Sequence, residues 1–470
     1  MTRPSRGLTE GPITPTLIKF ALPLLITISL HLIVGTWNAA WVSQVLGPNE
    51  LIAVVNANVL STIVMALLSG FGAAAGVFVG QSIGADDLHM MRKVVGTSTT
   101  LAVVAGIAIA ALGIFGVEFI VDLLRMPAEV RASAITYFRI ICLSMPTLFV
   151  FVFTTIILRS SGDAKTPSLF SAIWIGLGFI LSPVLLTGAF GLPALGIAGV
   201  AIGGWLANAI ALLVLVLYIY AKNLPLALRG ENLRYLRPDP TLLKEMVKRA
   251  IPSAAESLII NGSYFLLLSL VNAYGVATAS AYSAAAQLWG YVQAPAMAMI
   301  GAMSAMAAQN IGAKRWQRVN QVALHGSLLG FSSTATMSLL VFALGSIPLQ
   351  IFLPRGGEEI QIAMEINKIV LWCWPMIAIS FGLFAVVRGN GAMLPPAIIF
   401  AISLLGLRYP FADQLQSVLG SAAIWWSFPL GTATSALLAF MYFRWGKWRQ
   451  RDLLKTLRTD HEAEPGTTGN

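Results

Sequence analysis

The sequence has 470 residues, of which 57% are hydrophobic and only 11% are charged. Soluble globular proteins carry roughly 25% charged residues, and a soluble chain this apolar would expose large patches and aggregate, so the composition excludes an ordinary soluble protein. The net charge of +10 is therefore interpreted as a sign of orientation in a membrane, and no nucleic-acid partner is expected.

Twelve stretches of the sequence are long and apolar enough to form membrane-spanning helices, which need about 20 residues each. In chain order they are 14–45, 51–80, 94–116, 135–158, 168–190, 195–221, 248–273, 277–310, 319–345, 368–388, 396–412 and 422–445. The long polar connection at 222–247 separates the first six from the last six. The polar tail at 451–470 is expected to be disordered.

The distribution of basic residues predicts how these helices are oriented. If the N-terminus is inside and the helices alternate, 24 of the 30 Lys and Arg residues fall on the inner side. This is a strong positive-inside signal, so we expect a multi-pass protein of the bacterial cytoplasmic (inner) membrane with both termini in the cytoplasm. The remaining six are Arg125, Arg131, Arg139, Arg355, Lys368 and Arg408.

Landmarks of the first half of the sequence recur in the second half at a nearly constant distance. Pro23 recurs 229 positions later as Pro252, and the stretch 81–85 recurs 228 positions later as 309–313. Each half contains an even number of predicted helices, so both halves enter the membrane from the same side. The repeat is therefore parallel, and its halves are related by an axis along the membrane normal.

The sequence thus predicts an all-α polytopic membrane protein with twelve transmembrane helices in two parallel six-helix repeats. The predicted parts are an N-terminal lobe at 1–221, a cytoplasmic linker at 222–247, a C-terminal lobe at 248–450 and the tail at 451–470. Two such bundles suit alternating access to a central site. No P-loop occurs, and no metal or catalytic-triad spacing is found, so we expect no cofactor and no enzyme activity. The driving force is then expected to be an ion gradient, or none.

Several motifs resemble those of the MATE (multidrug and toxic compound extrusion) transporters, and the likeness covers nearly the whole chain. They are the end of the first helix at 41–50, the paired turns at 80–85 and 308–313, the loop at 159–167, and Arg408, Pro410, Trp425, Pro429 and 442–448 near the end. The resemblance implies V-shaped lobes and Na⁺- or H⁺-driven export of amphipathic, often cationic, compounds. We expect a monomer whose partners are a small-molecule substrate and the lipid bilayer.

The sequence departs from this family where the coupling ion is expected to bind. Asn38 stands where the family commonly has an Asp, and Gly178 and Ser182 stand where it commonly has an Asn and an Asp. The Glu that a subset of the family carries in helix seven is replaced by Ile260. Because Asn and Ser oxygens can ligate a cation, Asn38 and Ser182 are kept as ion-coupling candidates, and the choice between H⁺ and Na⁺ stays open.

Glu256 and His31 are the ionisable coupling candidates, because a charge at membrane depth is costly and tends to be functional. The repeat equates Glu256 with Thr27, one helical turn below His31. We therefore hypothesise that His31 and Glu256 pair across a cavity and relay a proton. The alternatives are a Glu256 carboxylate stabilised by the helix dipole and by Lys248 or Arg249, and a His31 ring bonded to a neighbouring helix.

Aromatic and amide side chains on four predicted helices indicate where the substrate binds, because aromatic faces hold flat or cationic ligands. The candidates are Trp37, Trp41, Asn261, Tyr264, Gln287 and Tyr291. Each of them can instead serve as a contact between helices or as an interfacial anchor.

Two other functions are weighed against transport of drugs. A lipid-linked saccharide flippase of the same superfamily needs basic residues inside its cavity to meet a pyrophosphate, and the sequence indicates no Lys or Arg deep in a helix. A membrane-embedded transferase needs catalytic acids or His on a membrane-facing loop and an asymmetric fold, which the duplicated halves argue against.

Overall fold

The computed structural model describes residues 8–46, 48–123, 128–353 and 356–450, together with 453 and 455. Inside the helices, the side chains at 36, 38–44, 46, 48–53, 55–60, 123, 128 and 129 are not described. The predicted candidates Asn38 and Trp41 fall among these and lie outside the described side chains. The described ranges are mainly helical and contain no β-strand.

The helices fall into two sets of spans, one in each half of the chain. The first set is α1 (Ile13–Leu46), α2 (Pro48–Gly84), α3 (Leu88–Leu123), α4 (Ala128–Ser160), α5 (Lys165–Thr187) and α6 (Ile197–Ala221). The second set is α7 (Pro240–Asn272), α8 (Val276–Gly312), α9 (Trp316–Leu344), α10 (Glu358–Val370), α11 (Cys373–Gly389), α12 (Leu394–Phe400), α13 (Tyr409–Gln414), α14 (Gln416–Leu419) and α15 (Ala422–Trp445). A π-helix at Ala401–Arg408 joins α12 to α13 in one span.

Ten spans in the described ranges are long and apolar enough to cross a membrane, and the bent pair α10–α11 makes an eleventh. Helix α8 completes the predicted twelve. Its 37 residues are rich in Ala and include Gln and Ser, and it packs against α1, α2, α9 and α11. Because small residues favour close packing between membrane helices, a helix enclosed in this way does not need the hydropathy of a lipid-facing one. The predicted all-α fold of two six-span halves is confirmed.

The predicted helix at 368–388 is in fact a bent pair, since α10 and α11 meet at an angle of 47°. Pro375 stands close to the start of α11. Its ring conflicts with the carbonyl of residue 371 in a continuous helix, and the break falls at that position. The predicted span at 368–388 therefore covers α11 and leaves out most of α10.

Part of the predicted linker at 222–247 is helical. Helix α7 begins at Pro240, where the Oδ1 atom of Asp239 accepts a hydrogen bond from the Leu242 amide at 2.7 Å and caps the helix. Lys93 binds the other carboxylate oxygen at 2.7 Å. In the predicted tail, Leu453 is buried and packs against Gly391, whereas residues 456–470 lie outside the described ranges.

The two lobes meet at the face of the molecule where α1 begins and where α2 and α8 end, which is named the basic end here. Gln81 of α2 donates from Nε2 to the carbonyl oxygen of Gly389 at 2.8 Å. Gln309 of α8 donates in the same way to Ser160 at 2.9 Å. Ser160 and Gly389 are 229 positions apart, so the repeat relates the two bonds by its pseudo-two-fold axis.

Glycines allow the helix ends to touch at the basic end. A Cβ atom on Gly84 would overlap the carbonyl oxygen of Gln309, and a Cβ atom on Gly312 would overlap that of Gln81. These two contacts are again related by the repeat. The described structure is therefore closed at the basic end by two symmetric backbone contacts that no larger residue permits.

The contact between lobes continues along α2 and α7. A Cβ atom on Gly70 would lie 2.6 Å from the carbonyl oxygen of Ala250. One residue earlier, the Ser69 hydroxyl lies 3.4 Å from the Ser257 hydroxyl. The two lobes are thus in direct contact from the basic end as far as the level of Ser69 and Ser257.

Candidate functional site

A cavity of about 340 Å³ lies inside the N-terminal lobe, between α1, α4, α5 and α6. It is called the N-lobe cavity below. Its volume is within the usual range for a small-molecule site, and such sites combine apolar walls with a few convergent polar groups. The described lining includes no Asp, Glu, Lys or Arg. Its polar and aromatic side chains are His31, Tyr137, Ser144, Trp174, Ser182, Trp205 and Asn208.

Close packing of α5 on α6 builds one wall of the N-lobe cavity. A Cβ atom on Gly203 of α6 would lie 2.7 Å from the backbone nitrogen of Ser182, and one on Gly199 would overlap the carbonyl oxygen of Leu185. Glycine at both positions lets the two backbones approach, as is common between membrane helices. Ser182 is held in the wall by this contact, and its Oγ atom donates to the Val200 carbonyl at 3.4 Å.

His31 is the histidine of the N-lobe cavity. It projects from α1, and its ring meets Trp174 of α5 edge to face, with ring centroids 5.5 Å apart. The ring also hydrogen-bonds to the backbone of Thr27, one turn earlier on α1. With one nitrogen bound in this way, the other nitrogen stays available as a proton or hydrogen-bond acceptor. His31 and Ser182 are the two predicted candidates that the structure brings to one cavity.

Asn208 is a site residue that the sequence analysis missed. It is 3% exposed, it lines the N-lobe cavity, and neither Nδ2 nor Oδ1 has a hydrogen-bond partner among the described residues. Leaving a buried amide unpaired costs free energy, so a ligand or water that reaches it gains two bonds. The sequence contains a signal that could have identified it, because Asn208 is the single amide side chain in the apolar helix α6.

The predicted substrate residues are not gathered in the N-lobe cavity. Trp37 packs on Phe179, with ring centroids 5.4 Å apart, and Asn261 donates to the Ser257 carbonyl of its own helix at 2.8 Å. Tyr264 lies in the C-terminal lobe beside Arg408. Gln287 is exposed and Tyr291 is half-buried. None of these five side chains lines the N-lobe cavity.

The predicted pairing of His31 with Glu256 is wrong for this structure. Glu256 is 2% exposed, and its Oε1 atom binds Nη1 of Arg388 at 2.8 Å. Its Oε2 atom has no partner among the described residues, so no bond to His31 exists. Arg388 belongs to α11 of the same lobe. It is one of the 24 Lys and Arg residues that the sequence places on the inner side of the membrane.

The alternative partners considered for Glu256 are also engaged elsewhere. Arg249 binds Glu245, one turn earlier on α7, and both side chains are largely buried. Lys248 lies 3.9 Å from the same carboxylate. Neither cation therefore compensates Glu256, and Arg388 alone does so among the described residues.

Arg408 contradicts the expectation that no Lys or Arg lies deep in a helix. It was assigned to the outer side of the membrane, but it is 3% exposed and ends the π-helix of the span Leu394–Gln414. Its guanidinium carbon lies 3.7 Å from the centre of the Phe428 ring. Four helices of the C-terminal lobe enclose it, as described below.

Comparison with known proteins gives a consistent result. The MatE family model matches the chain twice, at 23–184 and at 252–412. The chain is similar to the probable multidrug resistance protein YoeA of Bacillus subtilis (strain 168), with 29% identity over 444 residues that cover 93% of this chain and 95% of the relative.

Two solved structures show the same fold. A MATE in complex with MaD3S has a TM-score of 0.87 and 19% identity, over 94% of this chain and 98% of that chain. A multidrug resistance MATE family transporter of the MOP superfamily in an outward-facing conformation has a TM-score of 0.85 and 18% identity, with the same shares covered.

Proposed function

Because the chain belongs to the MATE family, whose model matches both of its halves, we propose that it is a secondary active efflux transporter that exports amphipathic or cationic organic compounds in exchange for protons. The similarity to proteins named for multidrug resistance supports this proposal. Membership in a transporter family also decides against the membrane-embedded transferase.

The orientation proposed for the molecule places the basic end in the cytoplasm of a bacterial cell. The excess of Lys and Arg in the loops on that side supports it. Closure at the basic end by Gly84 and Gly312 is then the state that denies the substrate access from the cytoplasm. Alternating access requires the two lobes to separate there and to close on the other side.

The position of His31 in the N-lobe cavity is the observation that favours H⁺ over Na⁺ as the coupling ion. A Na⁺ site normally draws on oxygen ligands that include charge, and the described lining of the cavity contains no carboxylate. A histidine, by contrast, charges and discharges near neutral pH. Protonation of His31 places a positive charge in the N-lobe cavity, where it repels a cationic substrate. Proton and substrate therefore exclude each other, which is the condition for antiport.

The rest of the lining fits the proposed substrates. Trp174, Trp205 and Tyr137 offer aromatic faces to a flat or cationic compound. Asn208 offers an unpaired donor and acceptor. This cavity does not suit the pyrophosphate of a lipid-linked saccharide, since its described lining has no Lys or Arg.

Transport by the purified protein tests this proposal. Proteoliposomes are loaded with a fluorescent cation such as ethidium, and pH and Na⁺ gradients are imposed in turn. We expect a pH gradient to drive ethidium against its own concentration gradient. A Na⁺ gradient alone should not do so. Ethidium flux that ignores both gradients contradicts antiport.

Replacing Gly84 by Val is expected to slow ethidium export by roughly ten- to a hundredfold. A branched side chain between backbones costs about 1–3 kcal/mol, and each 1.4 kcal/mol shifts the closure equilibrium about tenfold. The initial rate of export in proteoliposomes measures the effect. Gly176→Val is the matched control, because no atom of the described residues lies within 4 Å of a Cβ there. An equal loss in both variants contradicts the assignment.

A further inference from the structure

Arg408 occupies an unusual environment for a cation. It is 3% exposed inside the C-terminal lobe, within a span that crosses the membrane. A charged side chain at such depth is costly, and it normally pairs with an opposite charge or serves a ligand or ion. The mechanism proposed above for the N-lobe cavity makes no use of it.

One edge of the Arg408 guanidinium has no partner. The Nε and Nη2 atoms are both buried, and neither has a hydrogen-bond partner among the described residues. These two N–H groups point in parallel, and together they form the fork that binds a carboxylate or phosphate through two bonds. The unpaired edge is therefore the one that recognises an oxyanion.

Among the described residues, no carboxylate faces Arg408 from the elements around it. The titratable groups that act on it are Tyr264 of α7, Tyr282 of α8 and Cys373 of α11. The fourth side is α15, where Phe428 stacks on the guanidinium at 3.7 Å. Within the described residues the positive charge therefore meets a hydrogen bond with the Tyr264 side chain, the polar groups of Tyr282 and Cys373, and the Phe428 ring, but no carboxylate.

The backbone makes room for Arg408. A Cβ atom on Gly431 of α15 would lie 3.1 Å from both Cβ and Cδ of Arg408, so the arginine stem lies directly on the glycine. The residue also ends an eight-residue π-helix, an irregularity that is frequent at functional sites. In a regular α-helix the Arg408 side chain would point in a different direction from the helix axis.

The surroundings of Arg408 are aromatic. The Tyr282 and Trp425 rings are stacked at 5.9 Å, and Trp289 contacts both Tyr282, at 5.6 Å, and Phe428, at 5.4 Å. Together with Phe428 they form a continuous aromatic wall beside the guanidinium. A ligand with an anionic head and a flat apolar body matches both features.

We propose that Arg408 is the receptor of a second binding site, in the C-terminal lobe, for the carboxylate or phosphate group of an amphipathic anion. The oxyanion binds the Nε and Nη2 atoms, and its apolar body packs against the wall of Tyr282, Trp289, Trp425 and Phe428. This site is separate from the N-lobe cavity and does not depend on His31 or on proton exchange.

Binding of 2-naphthoate to the purified full-length protein in neutral-lipid nanodiscs tests this site, with 2-naphthylmethylammonium as the cation of matched shape. Tryptophan fluorescence reports binding. Arg408→Met is expected to weaken naphthoate binding about tenfold or more, since a charge-assisted pair is lost. Arg408→Lys keeps the charge but lacks the fork and is also expected to weaken it. Neither substitution should change the affinity of the protein for the naphthylammonium ion.

Controls separate this result from misfolding. Lys368→Met removes an exposed cation of the same lobe and should leave naphthoate affinity unchanged. Variants are compared only when they elute as the wild type does in size exclusion, and Arg408→Lys decides if Arg408→Met does not fold. Wild-type affinity for naphthoate in the folded Arg408 variant, or no detectable binding of naphthoate to the wild-type protein, overturns the proposal.

Competition identifies the source of the oxyanion. Phosphatidate in the nanodisc competes with naphthoate if a lipid headgroup uses the site, and soluble phenylphosphonate competes if a free anion does. Either competition must disappear in the Arg408 variants. Competition that persists in the variants overturns the proposal.

Discussion

Replacing His31 by Gln is expected to abolish ethidium export driven by a pH gradient, with a loss of roughly 10²-fold or more. Gln is similar in size and can keep the hydrogen bond to the Thr27 backbone, but it cannot take up a proton. Among the described lining residues, His31 is the one histidine. The rate of ethidium export in proteoliposomes with an imposed pH gradient measures this effect.

Two comparisons make the His31 result specific. Equilibrium binding of ethidium to the His31→Gln variant should stay within about twofold of the wild type, because the aromatic walls are intact. His89→Gln, which changes an exposed histidine that contacts Tyr235, should export normally. If the His31 variant keeps its response to the pH gradient, His31 does not carry the coupling proton.

Replacing Glu256 by Gln should destabilise the protein by about 3–5 kcal/mol, because it leaves Arg388 buried without a counter-charge. The two side chains are 3% and 16% exposed and lie 2.8 Å apart. A loss of this size lowers the melting temperature by roughly 3–5 °C in a chain of this length. Thermal unfolding in detergent measures it, with folded protein followed by size exclusion.

The double variant Glu256→Gln with Arg388→Met distinguishes the ion pair from other effects. It removes both charges and should recover most of the stability, since an apolar replacement of a buried pair is often neutral. Glu118→Gln is the surface control. Its pair with Arg139 is exposed on both sides, so less than about 1 kcal/mol should be lost. Unchanged stability in the single Glu256 variant contradicts this assignment.

The duplication could be predicted from the sequence because its landmarks are local. Pro23 and Pro252, and the stretches 81–85 and 309–313, stand at fixed positions along the chain. The equivalent hydrogen bonds of Gln81 and Gln309 confirm that the sequence repeat is also a repeat of the structure. Long apolar stretches are likewise local, and so the spans were predicted well apart from the bend between α10 and α11.

The partners of buried charges could not be predicted in this way. The repeat gives the height of Glu256 along its helix but not the direction of the side chain, and the carboxylate turns to Arg388 of its own lobe instead of to His31. Arg408 stands near the end of the predicted span 396–412. From that position alone, a residue is expected to lie at the membrane interface. The packing of α7, α8, α11 and α15 around it is a property of the lobe and not of any one segment.

A cysteine pair across the lobes tests alternating access most directly. The Ser69 and Ser257 hydroxyls are 3.4 Å apart, so cysteine sulfurs at these positions need to approach by only about 1.4 Å more to reach the S–S bond length. In a background with Cys142 and Cys373 replaced by Ser, the Ser69→Cys and Ser257→Cys pair should cross-link under mild oxidation. The bond holds the basic end closed, so ethidium export should stop and should return on reduction. Each single variant should export normally under the same oxidant, and full export with the bond completely formed would contradict the account.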